Sequence, residues 1–263
     1  MKDAILNALS PDYPWKEFFY WFDSIDSTNT YLKTAARQGA PHGTVAVADC
    51  QTGGKGRLGR SFQSPGGMGV YLSMLLRPQC PPEELMHLTC AVGAAMCDAL
   101  EQASGLRPGI KWTNDLVYGH KKAAGILTEL GMSPEGPYAV VGIGVNCCQG
   151  PQDFPQELRD RATSLTMETG RPIDRGLVAA AMMDALYRMD AELLPQKEAM
   201  LRRYKQDCVT LGKEISLVRG DQISHGLALD IGDNGDLIVR FSDGHVEAVS
   251  SGEVSVRGMY GYV

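Results

Sequence analysis

The sequence predicts an α+β protein, in which a mixed β-sheet flanked by helices is followed by a small β-barrel. Two observations support this fold class. Through the first four-fifths of the chain, apolar runs of strand length alternate with segments whose apolar residues recur at helical spacing. After Leu211, five short strand-like pieces are separated by turns such as Asp233-Asn234-Gly235, a pattern typical of small antiparallel hairpins. We therefore expect one domain over residues 1–209 and a second over residues 210–263.

Each element of the larger domain follows from a local pattern. Helical spacing or capping residues predict helices over residues 27–38, 84–100 and 174–204, the last interrupted near Pro195. Buried-looking apolar runs predict strands over residues 44–49, 70–77, 110–112, 122–130 and 138–147. The stretch 51–69 is predicted to be a long Gly-rich loop, and a polar turn is expected between residues 112 and 122.

The composition describes an ordinary globular chain with an uneven charge distribution. Of 263 residues, 44% are hydrophobic and 21% charged, which is enough to build a core. The formal net charge of −6 argues against a general binder of nucleic acids or anionic membranes. The stretch from Cys50 to Pro82, however, contains four basic residues and no acidic one. A local cationic patch of this kind favours a small anionic ligand.

The cysteines and the apolar runs indicate a cytoplasmic protein. The seven cysteines are odd in number and form no C-x-x-C pair, so reduced thiols are expected. The N-terminal residues lack the uninterrupted apolar segment of a signal peptide, and no apolar run approaches the ~18–20 residues needed to span a bilayer.

The Gly-rich loop contains a literal G-x-G-x-x-G at Gly54, Gly56 and Gly59. A dinucleotide-binding fingerprint must open a helix, and the residues that follow here, R-S-F-Q-S-P-G-G, do not form one. Three cations are interleaved with these glycines, which suits a loop that binds phosphate through backbone N–H groups and guanidinium groups. A solvated basic surface loop is the alternative.

A second cluster follows at Lys111-Trp112-Thr113-Asn114-Asp115 and Lys122. It places an amide, a carboxylate and a lysine in and after one tight turn. Asn and Asp are also ordinary turn residues. Lys122 begins an apolar strand, where a cation needs a partner or access to solvent. The segment Asp26-Ser27-Thr28-Asn29, taken alone, indicates a helix N-cap.

Taken together and in order, these motifs resemble those of the biotin–protein ligases. The motifs are D-S-T-N (26–29), Q-T-G-G-K-G-R-L-G-R (51–60), K-W-T-N-D (111–115), K-K-A-A-G-I-L (121–127), G-I-G-V-N (142–146), A-T-S-L (162–165) and G-E-V-S-V-R (252–257). The resemblance covers roughly residues 22–257. It implies a class II synthetase-like catalytic domain with an SH3-like C-terminal barrel, in the short form that lacks an N-terminal DNA-binding domain.

The resemblance implies an ATP-dependent, AMP-forming ligase. Such an enzyme converts biotin to biotinyl-5′-AMP, releases pyrophosphate and transfers biotin to a lysine of a biotin carboxyl carrier protein of a biotin-dependent carboxylase. It implies Mg²⁺ with ATP, no nucleic-acid or membrane partner, and is compatible with a homodimer. A lipoate–protein ligase, a DNA-binding repressor and a non-catalytic biotin-binding module stay open as alternatives.

The resemblance also implies a role for each site residue. Biotin would be bound by Ser27, Thr28, Asn29, Gln51, Gly54, Arg57, Trp112, Lys122 and Gly125. ATP would be bound by Lys55, Arg57, Arg60, Asn114, Lys122, Asn146 and Arg257. The catalytic residues would be Arg57, Asp115 and Lys122. Two positions depart from the family pattern, because Thr113 stands where proline is usual and Lys55 where arginine is common. The first puts the rigidity of the turn in question, and the second reduces a forked phosphate contact to a point charge.

Overall fold

The computed structural model describes residues 1–250, the backbone of residues 255–258 and the side chain of Val256. This part of the chain contains the following helices: α1 (Lys2–Ala8), α2 (Thr28–Arg37), α3 (Leu88–Ser104), α4 (Leu165–Thr169), α5 (Arg175–Glu192) and α6 (Lys197–Asp207). Its strands are β1 (Phe19–Ile25), β2 (Val45–Gln51), β3 (Gly69–Leu76), β4 (Gly109–Lys111), β5 (Asp115–Tyr118), β6 (Lys121–Ser133), β7 (Gly136–Asn146), β8 (Glu214–Arg219), β9 (Gln222–Ile231), β10 (Leu237–Phe241), β11 (Val246–Val249) and β12 (Ser255–Gly258).

The larger sheet has seven strands in the order β1-β2-β3-β7-β6-β5-β4. Strands β1 and β2 are parallel, and the remaining neighbours are antiparallel. The predicted mixed sheet flanked by helices is therefore confirmed.

Both faces of this sheet are covered because side chains alternate along each strand. In β2, Val45 and Val47 belong to the main core, to which α3 and α5 contribute many buried residues. Ala46 points to the other face and packs in a smaller cluster with Leu32 and Ala36 of α2. Helix α2 begins where expected, since the Ser27 side chain accepts a hydrogen bond from the backbone N–H of Thr30.

Two elements of the larger sheet differ from the sequence prediction. The stretch expected to be one polar turn contains the strand β5, because Leu116 and Val117 are buried between its polar ends. The turn is thus the short link between β4 and β5. Strand β1 was not predicted, because its exposed polar residues break the apolar pattern, and it is defined by parallel pairing with β2.

The C-terminal sheet has five antiparallel strands in the order β11-β10-β9-β8-β12, which confirms the five predicted strand-like pieces. It packs on the larger domain through the β9–β10 turn. The indole Nε1 of Trp112 donates a hydrogen bond of 2.9 Å to the carbonyl of Gly235, and both groups are buried. The change from helix to small sheet falls between Asp207 and Glu214. The domain boundary at residue 209 stays a prediction.

Across the described ranges, none of the helices combines the length and the apolar character required to span a bilayer.

Candidate active site

Two adjoining cavities lie at one end of the larger sheet. The outer cavity has a volume of about 770 Å³ and the inner cavity about 50 Å³. Both are lined by Gly56, Arg57, Phe62, Asn114 and Lys122, which therefore form the junction between them. The junction combines residues of the Gly-rich loop with residues of the K-W-T-N-D and K-K-A-A-G-I-L motifs. The structure thus brings together three segments that are far apart in the sequence.

The far end of the inner cavity is polar and mostly uncharged. Ser27, Thr28 and Gln51 line it, as the sequence resemblance implied. The Gln51 side-chain oxygen accepts a hydrogen bond of 2.9 Å from the backbone N–H of Thr28. The Gln51 amide group donates to the Ser64 hydroxyl at 3.0 Å, which fixes the orientation of the amide. Such a wall suits a ligand with both donors and acceptors but no charge.

A buried hydrogen-bonded chain continues behind this wall. The Thr28 and Ser73 hydroxyl oxygens are 2.7 Å apart, and Ser73 Oγ is 2.5 Å from the Asn29 side-chain oxygen. The Asn29 amide group donates to Glu129 Oε2 at 2.9 Å, and Glu129 Oε1 accepts from Lys33 Nζ at 2.6 Å. Burial alone would raise the pKa of Glu129, but hydrogen bonds from Lys33 and Asn29 outweigh it and lower that pKa.

Sequence reasoning missed Ser73, Glu129 and Lys33. The signal in the sequence was weak, since Glu129 is a single charge within the apolar stretch of β6. A charge in such a run indicates a buried partner. The partner itself could not be read from the sequence because Lys33 lies 96 positions away.

Three glycines let side chains approach the two central strands. An added Cβ at Gly142 would lie 2.0 Å from the Asn29 side-chain oxygen, and one at Gly144 would lie 2.5 Å from the Phe62 ring. At Gly125, it would lie 2.9 Å from Lys122 Nζ. These contacts explain why the K-A-A-G and G-I-G motifs contain glycine at these positions.

Lys122 and Asp115 form an ion pair between Nζ and Oδ1 at 2.5 Å at the cavity junction. The A-T-S-L motif and the residue before it hold the Lys122 backbone in place. The Lys122 N–H donates to the Arg161 carbonyl, and the Lys122 carbonyl accepts from the Thr163 N–H. The ammonium also lies 5.9 Å from the centre of the Phe62 ring. The cation predicted to need a partner thus has one within the protein.

Arg57 reaches the junction from the Gly-rich loop. Its Nη1 donates a hydrogen bond of 3.0 Å to the Asn114 side-chain oxygen, and the Asn114 amide group donates to the Ile126 carbonyl at 2.8 Å. Burial lowers the pKa of Arg57, Asp115 opposes this effect, and the neighbouring Arg60 adds to it. An arginine remains charged under such conditions. An anion placed here would relieve both the desolvation and the repulsion from Arg60.

The outer cavity has a polar wall with charges of both signs. Arg60 and Trp112 line it, together with Lys111, His120, Asp160 and Arg161, which were not assigned to the site from the sequence. The turn that carries Thr113 is held from outside. The buried Tyr204 hydroxyl donates to the Thr113 carbonyl at 3.1 Å, and the Thr210 hydroxyl accepts from the Trp112 N–H at 2.9 Å. These bonds fix the turn without the usual proline.

The remaining predicted residues are distributed as follows. Gly125, predicted to bind biotin, lines the inner cavity, as does Lys55, predicted to bind ATP, whereas Trp112, predicted to bind biotin, lines the outer cavity. Gly54 lies within the Gly-rich loop opposite Phe62, whose N–H donates to the Gly54 carbonyl, and an added Cβ would clash with the Phe62 carbonyl. Asn146 lines neither described cavity and donates to the Thr163 carbonyl at 3.0 Å. The side chain of Arg257, and the motif residues 252–254, lie outside the described residues.

The chain matches two family models. Residues 21–146 match the biotin/lipoate A/B protein ligase family, and residues 210–257 match the C-terminal domain of biotin protein ligases. The first match contains the D-S-T-N motif, the Gly-rich loop and the Lys122–Asp115 pair. The second contains the small sheet.

The relatives of the chain share about a third of its sequence. The biotin–[acetyl-CoA-carboxylase] ligase of Paracoccus denitrificans is 34% identical over 243 residues, which cover 89% of this chain and 98% of the relative. The bifunctional ligase/repressor BirA of Bacillus subtilis is 32% identical over 238 residues, covering 90% of this chain and 73% of the relative. Among solved structures, biotin protein ligase from Aquifex aeolicus in complex with biotin and ATP superposes with a TM-score of 0.78 at 31% identity, covering 91% of this chain and 98% of that one.

Proposed function

The chain belongs to the biotin protein ligases, and on that premise we propose how its residues divide the two steps of the reaction. The enzyme activates biotin with ATP to form biotinyl-5′-AMP and pyrophosphate, and then transfers biotin to a protein lysine. We assign the biotin head group to the inner cavity and the nucleotide to the outer cavity. The observation that carries this assignment is the position of Lys122 and Arg57, which line both cavities.

The inner cavity suits the ureido ring of biotin. Ser27, Thr28 and Gln51 offer neutral donors and acceptors, and a buried site of this kind rejects ligands that leave them unpaired. The biotin carboxylate would then lie at the junction. In the first step its oxygen attacks the α-phosphorus of ATP, a new P–O bond forms, and the bond to pyrophosphate breaks.

Both reactants of the first step are anions, so the junction must offset their repulsion. Arg57 and Lys122 supply two positive charges at this point, with Lys55 on the inner side and Arg60 on the outer side. Lys122 is bound to Asp115 in the structure. We propose that its ammonium turns from Asp115 to the oxygens shared by the carboxylate and the α-phosphate. Positive charge that strengthens its contacts in the transition state accelerates the step.

The same exchange prepares the second step. Once Lys122 faces the adenylate, the Asp115 carboxylate can orient the incoming lysine amine and accept its proton. An unperturbed lysine has a pKa of about 10.4, so its amine needs such a base to attack near neutral pH. The amine attacks the acyl carbon, the amide bond forms, and AMP leaves. Closure of the Gly-rich loop keeps water from the adenylate.

Magnesium fits this donor set. Mg²⁺ is usually bound by one or two carboxylates together with substrate phosphates and water. In the described part of the chain, no group of three or more His, Cys, Asp or Glu side chains is placed to hold a metal. Asp160, which lines the outer cavity, would bind the ion jointly with the phosphates of ATP. The ion would offset phosphate charge.

The transfer partner would be a biotin carboxyl carrier protein, and two relatives are named as ligases that act on acetyl-CoA carboxylase. We propose a cytoplasmic location, which agrees with seven cysteines that are all free thiols. We also expect no specific binding of duplex DNA, given the net charge of −6. A lipoate–protein ligase is not favoured, because residues 210–257 match the C-terminal domain of biotin protein ligases.

The direct test incubates the protein with biotin, ATP and Mg²⁺ and a recombinant carrier domain, followed by intact-mass spectrometry. The expected result is one added biotin per carrier and none on a carrier whose acceptor lysine is replaced by arginine. Asp115→Asn should still release pyrophosphate but transfer biotin at least about tenfold more slowly. Lipoate incorporation in place of biotin would contradict the proposal, and normal transfer by Asp115→Asn would remove the role given to Asp115.

A further inference from the structure

The hydrogen-bonded chain from Glu129 to Thr28 has a direction that the chemistry of its members determines. An ionised carboxylate only accepts hydrogen bonds. The Asn29 side-chain group that contacts Glu129 Oε2 at 2.9 Å must therefore be its NH₂. The Asn29 oxygen then faces Ser73 Oγ at 2.5 Å, and Ser73 must donate its only hydroxyl hydrogen to it.

The next contact fixes the hydroxyl of Thr28. Its oxygen is 2.7 Å from Ser73 Oγ, and two hydroxyl oxygens at this distance require a hydrogen between them. The Ser73 hydrogen is already used, so the hydrogen comes from Thr28. The Gln51 side-chain oxygen is farther from Thr28 Oγ1, at 3.1 Å, and it has a donor of its own in the Thr28 backbone N–H. Thr28 therefore donates away from the inner cavity.

We propose that Glu129 is a specificity-determining positioning residue, which makes Thr28 Oγ1 a hydrogen-bond acceptor toward the ligand and so selects a ring N–H donor. The inference rests on the assignment of biotin to the inner cavity. Glu129 itself touches no ligand and acts through Asn29 and Ser73. Gly142 is part of the arrangement, since an added Cβ there would displace the Asn29 amide.

Lys33 has a separate role in this chain. Its ammonium, 2.6 Å from Glu129 Oε1, helps to lower the pKa of Glu129 and so extends to lower pH the range in which the carboxylate is ionised and accepts hydrogen bonds. At pH 8 the carboxylate should remain ionised without Lys33, because the Glu129 side chain is partly exposed and the ordinary pKa of a glutamate, about 4.3, lies far below this pH. Removal of Lys33 should therefore leave the direction of the chain unchanged at this pH.

The variant Glu129→Gln should reverse the direction of hydrogen-bond donation along this chain, while the side chain at position 129 keeps its size and shape. A glutamine whose oxygen stays on Lys33 offers an N–H to Asn29, which favours a turn of the Asn29 amide so that it donates to Ser73. The turned amide gives up its longer hydrogen bond of 3.3 Å to the Leu127 carbonyl. Ser73 then donates to Thr28, and the Thr28 hydroxyl hydrogen becomes available to the ligand. Ser73→Ala is a second route to the same end, because it removes the nearer acceptor of the Thr28 hydroxyl. The Gln51 oxygen that remains, 3.1 Å away, already accepts from the Thr28 backbone N–H.

The test uses biotin and its two cyclic-carbamate analogues, in each of which one ureido N–H is replaced by oxygen, with Kd measured by calorimetry at pH 8. The wild type should bind one of the analogues about tenfold to a hundredfold more weakly than biotin, because two acceptors then face each other. For that analogue, the affinity ratio to biotin should fall about tenfold in Glu129→Gln and in Ser73→Ala. It should be unchanged in Lys33→Met.

The affinity ratio of the analogue to biotin distinguishes a role of Glu129 in specificity from a purely structural role. It also distinguishes failure of this inference from failure of the proposed function. A loosened pocket would weaken all three ligands alike and leave the ratio unchanged. An unchanged ratio in Ser73→Ala, with biotin still bound, overturns the inference whether or not Glu129→Gln folds. A fallen ratio in Lys33→Met overturns the role given to the carboxylate direction. Failure of the wild type to bind biotin would instead refute the assignment of the inner cavity.

Discussion

Replacement of Lys122 by alanine should abolish most adenylate formation while biotin still binds. The Lys122 ammonium stands at the junction of the two cavities, paired with Asp115 at 2.5 Å. The residues proposed to hold the biotin head group, Ser27, Thr28 and Gln51, have no hydrogen bond to it among the described contacts. The mutation therefore removes charge where the carboxylate meets the α-phosphate and leaves the far end of the inner cavity unchanged.

The size of the two effects follows from what Lys122 contacts in the transition state of adenylation and in the ground-state complex with biotin. Loss of one preorganised charge that faces a developing anion typically lowers the rate by about 10²–10³, or about 2.7–4 kcal/mol of activation free energy. In the ground state, the Lys122 side chain is 27% exposed and faces a single carboxylate, so its contribution to biotin binding should be at most about 1 kcal/mol. The expected loss of affinity is thus about fivefold or less.

Single-turnover pyrophosphate release and calorimetric biotin binding measure the two quantities separately. Lys121→Ala is the matched control, because this neighbouring lysine lines neither cavity in the described structure. It should keep both values within about twofold of the wild type. If Lys122→Ala kept its adenylation rate within a few-fold while biotin affinity collapsed, Lys122 would be a binding residue, and the reasoning from charge development would be wrong.

Three further predictions concern the rest of the molecule. Gly235→Ala should destabilise the fold by about 1–3 kcal/mol in thermal unfolding and more than Gly244→Ala, because both have positive φ but only the Cβ at 235 would meet a buried cysteine sulfur, at 2.8 Å; equal losses would contradict the clash. Lys33→Met should lower the Tm by up to about 2–4 °C near pH 7. Since the lowered pKa of Glu129 stabilises the fold above pH 4.5 and the effect is lost as pH falls through the folded-state pKa, this gap should close in acid, and a constant gap would refute it. Biotin with ATP should slow proteolysis and amide exchange across residues 52–67, and unchanged rates would argue against closure of the Gly-rich loop.

The parts of the fold that the sequence predicts are those with strong local patterns. Helix α2 is marked by its Ser27 cap, and β3 and β7 by uninterrupted apolar runs. The small sheet follows from turns such as Asp233-Asn234-Gly235. Strand β1 was not predicted, because it alternates irregularly and is defined by a partner rather than by its own composition. Strand β5, with four residues, is too short to show a period.

In the candidate site, too, residues within local motifs were predicted and residues linked only by distant contacts were not. Residues within motifs, such as Arg57 and Lys122, were named from the sequence, and the structure places both at the cavity junction. The Lys122–Asp115 pair was not predicted, although only seven positions separate its members. The Asn29–Glu129 bond spans 100 positions, and no local rule connects residues that far apart. Asn146 was predicted to bind ATP because it lies in a motif. In the structure it donates a hydrogen bond to the neighbouring segment at Thr163 and lines neither described cavity.

Phe62 has a consequence for engineering the enzyme toward unnatural labels. Its ring fills the space above Gly125 and Gly144, so it sets the width of the inner cavity. Phe62 belongs to the Gly-rich loop that also carries Arg57, and it lines the outer cavity as well. Trimming Phe62 to admit bulkier probes would therefore remove apolar contact from the closed loop. One side chain therefore affects both the range of substrates that the site accepts and the retention of the reactive adenylate. A variant that accepts larger labels should also release more of its adenylate, a mixed anhydride, to bystander proteins.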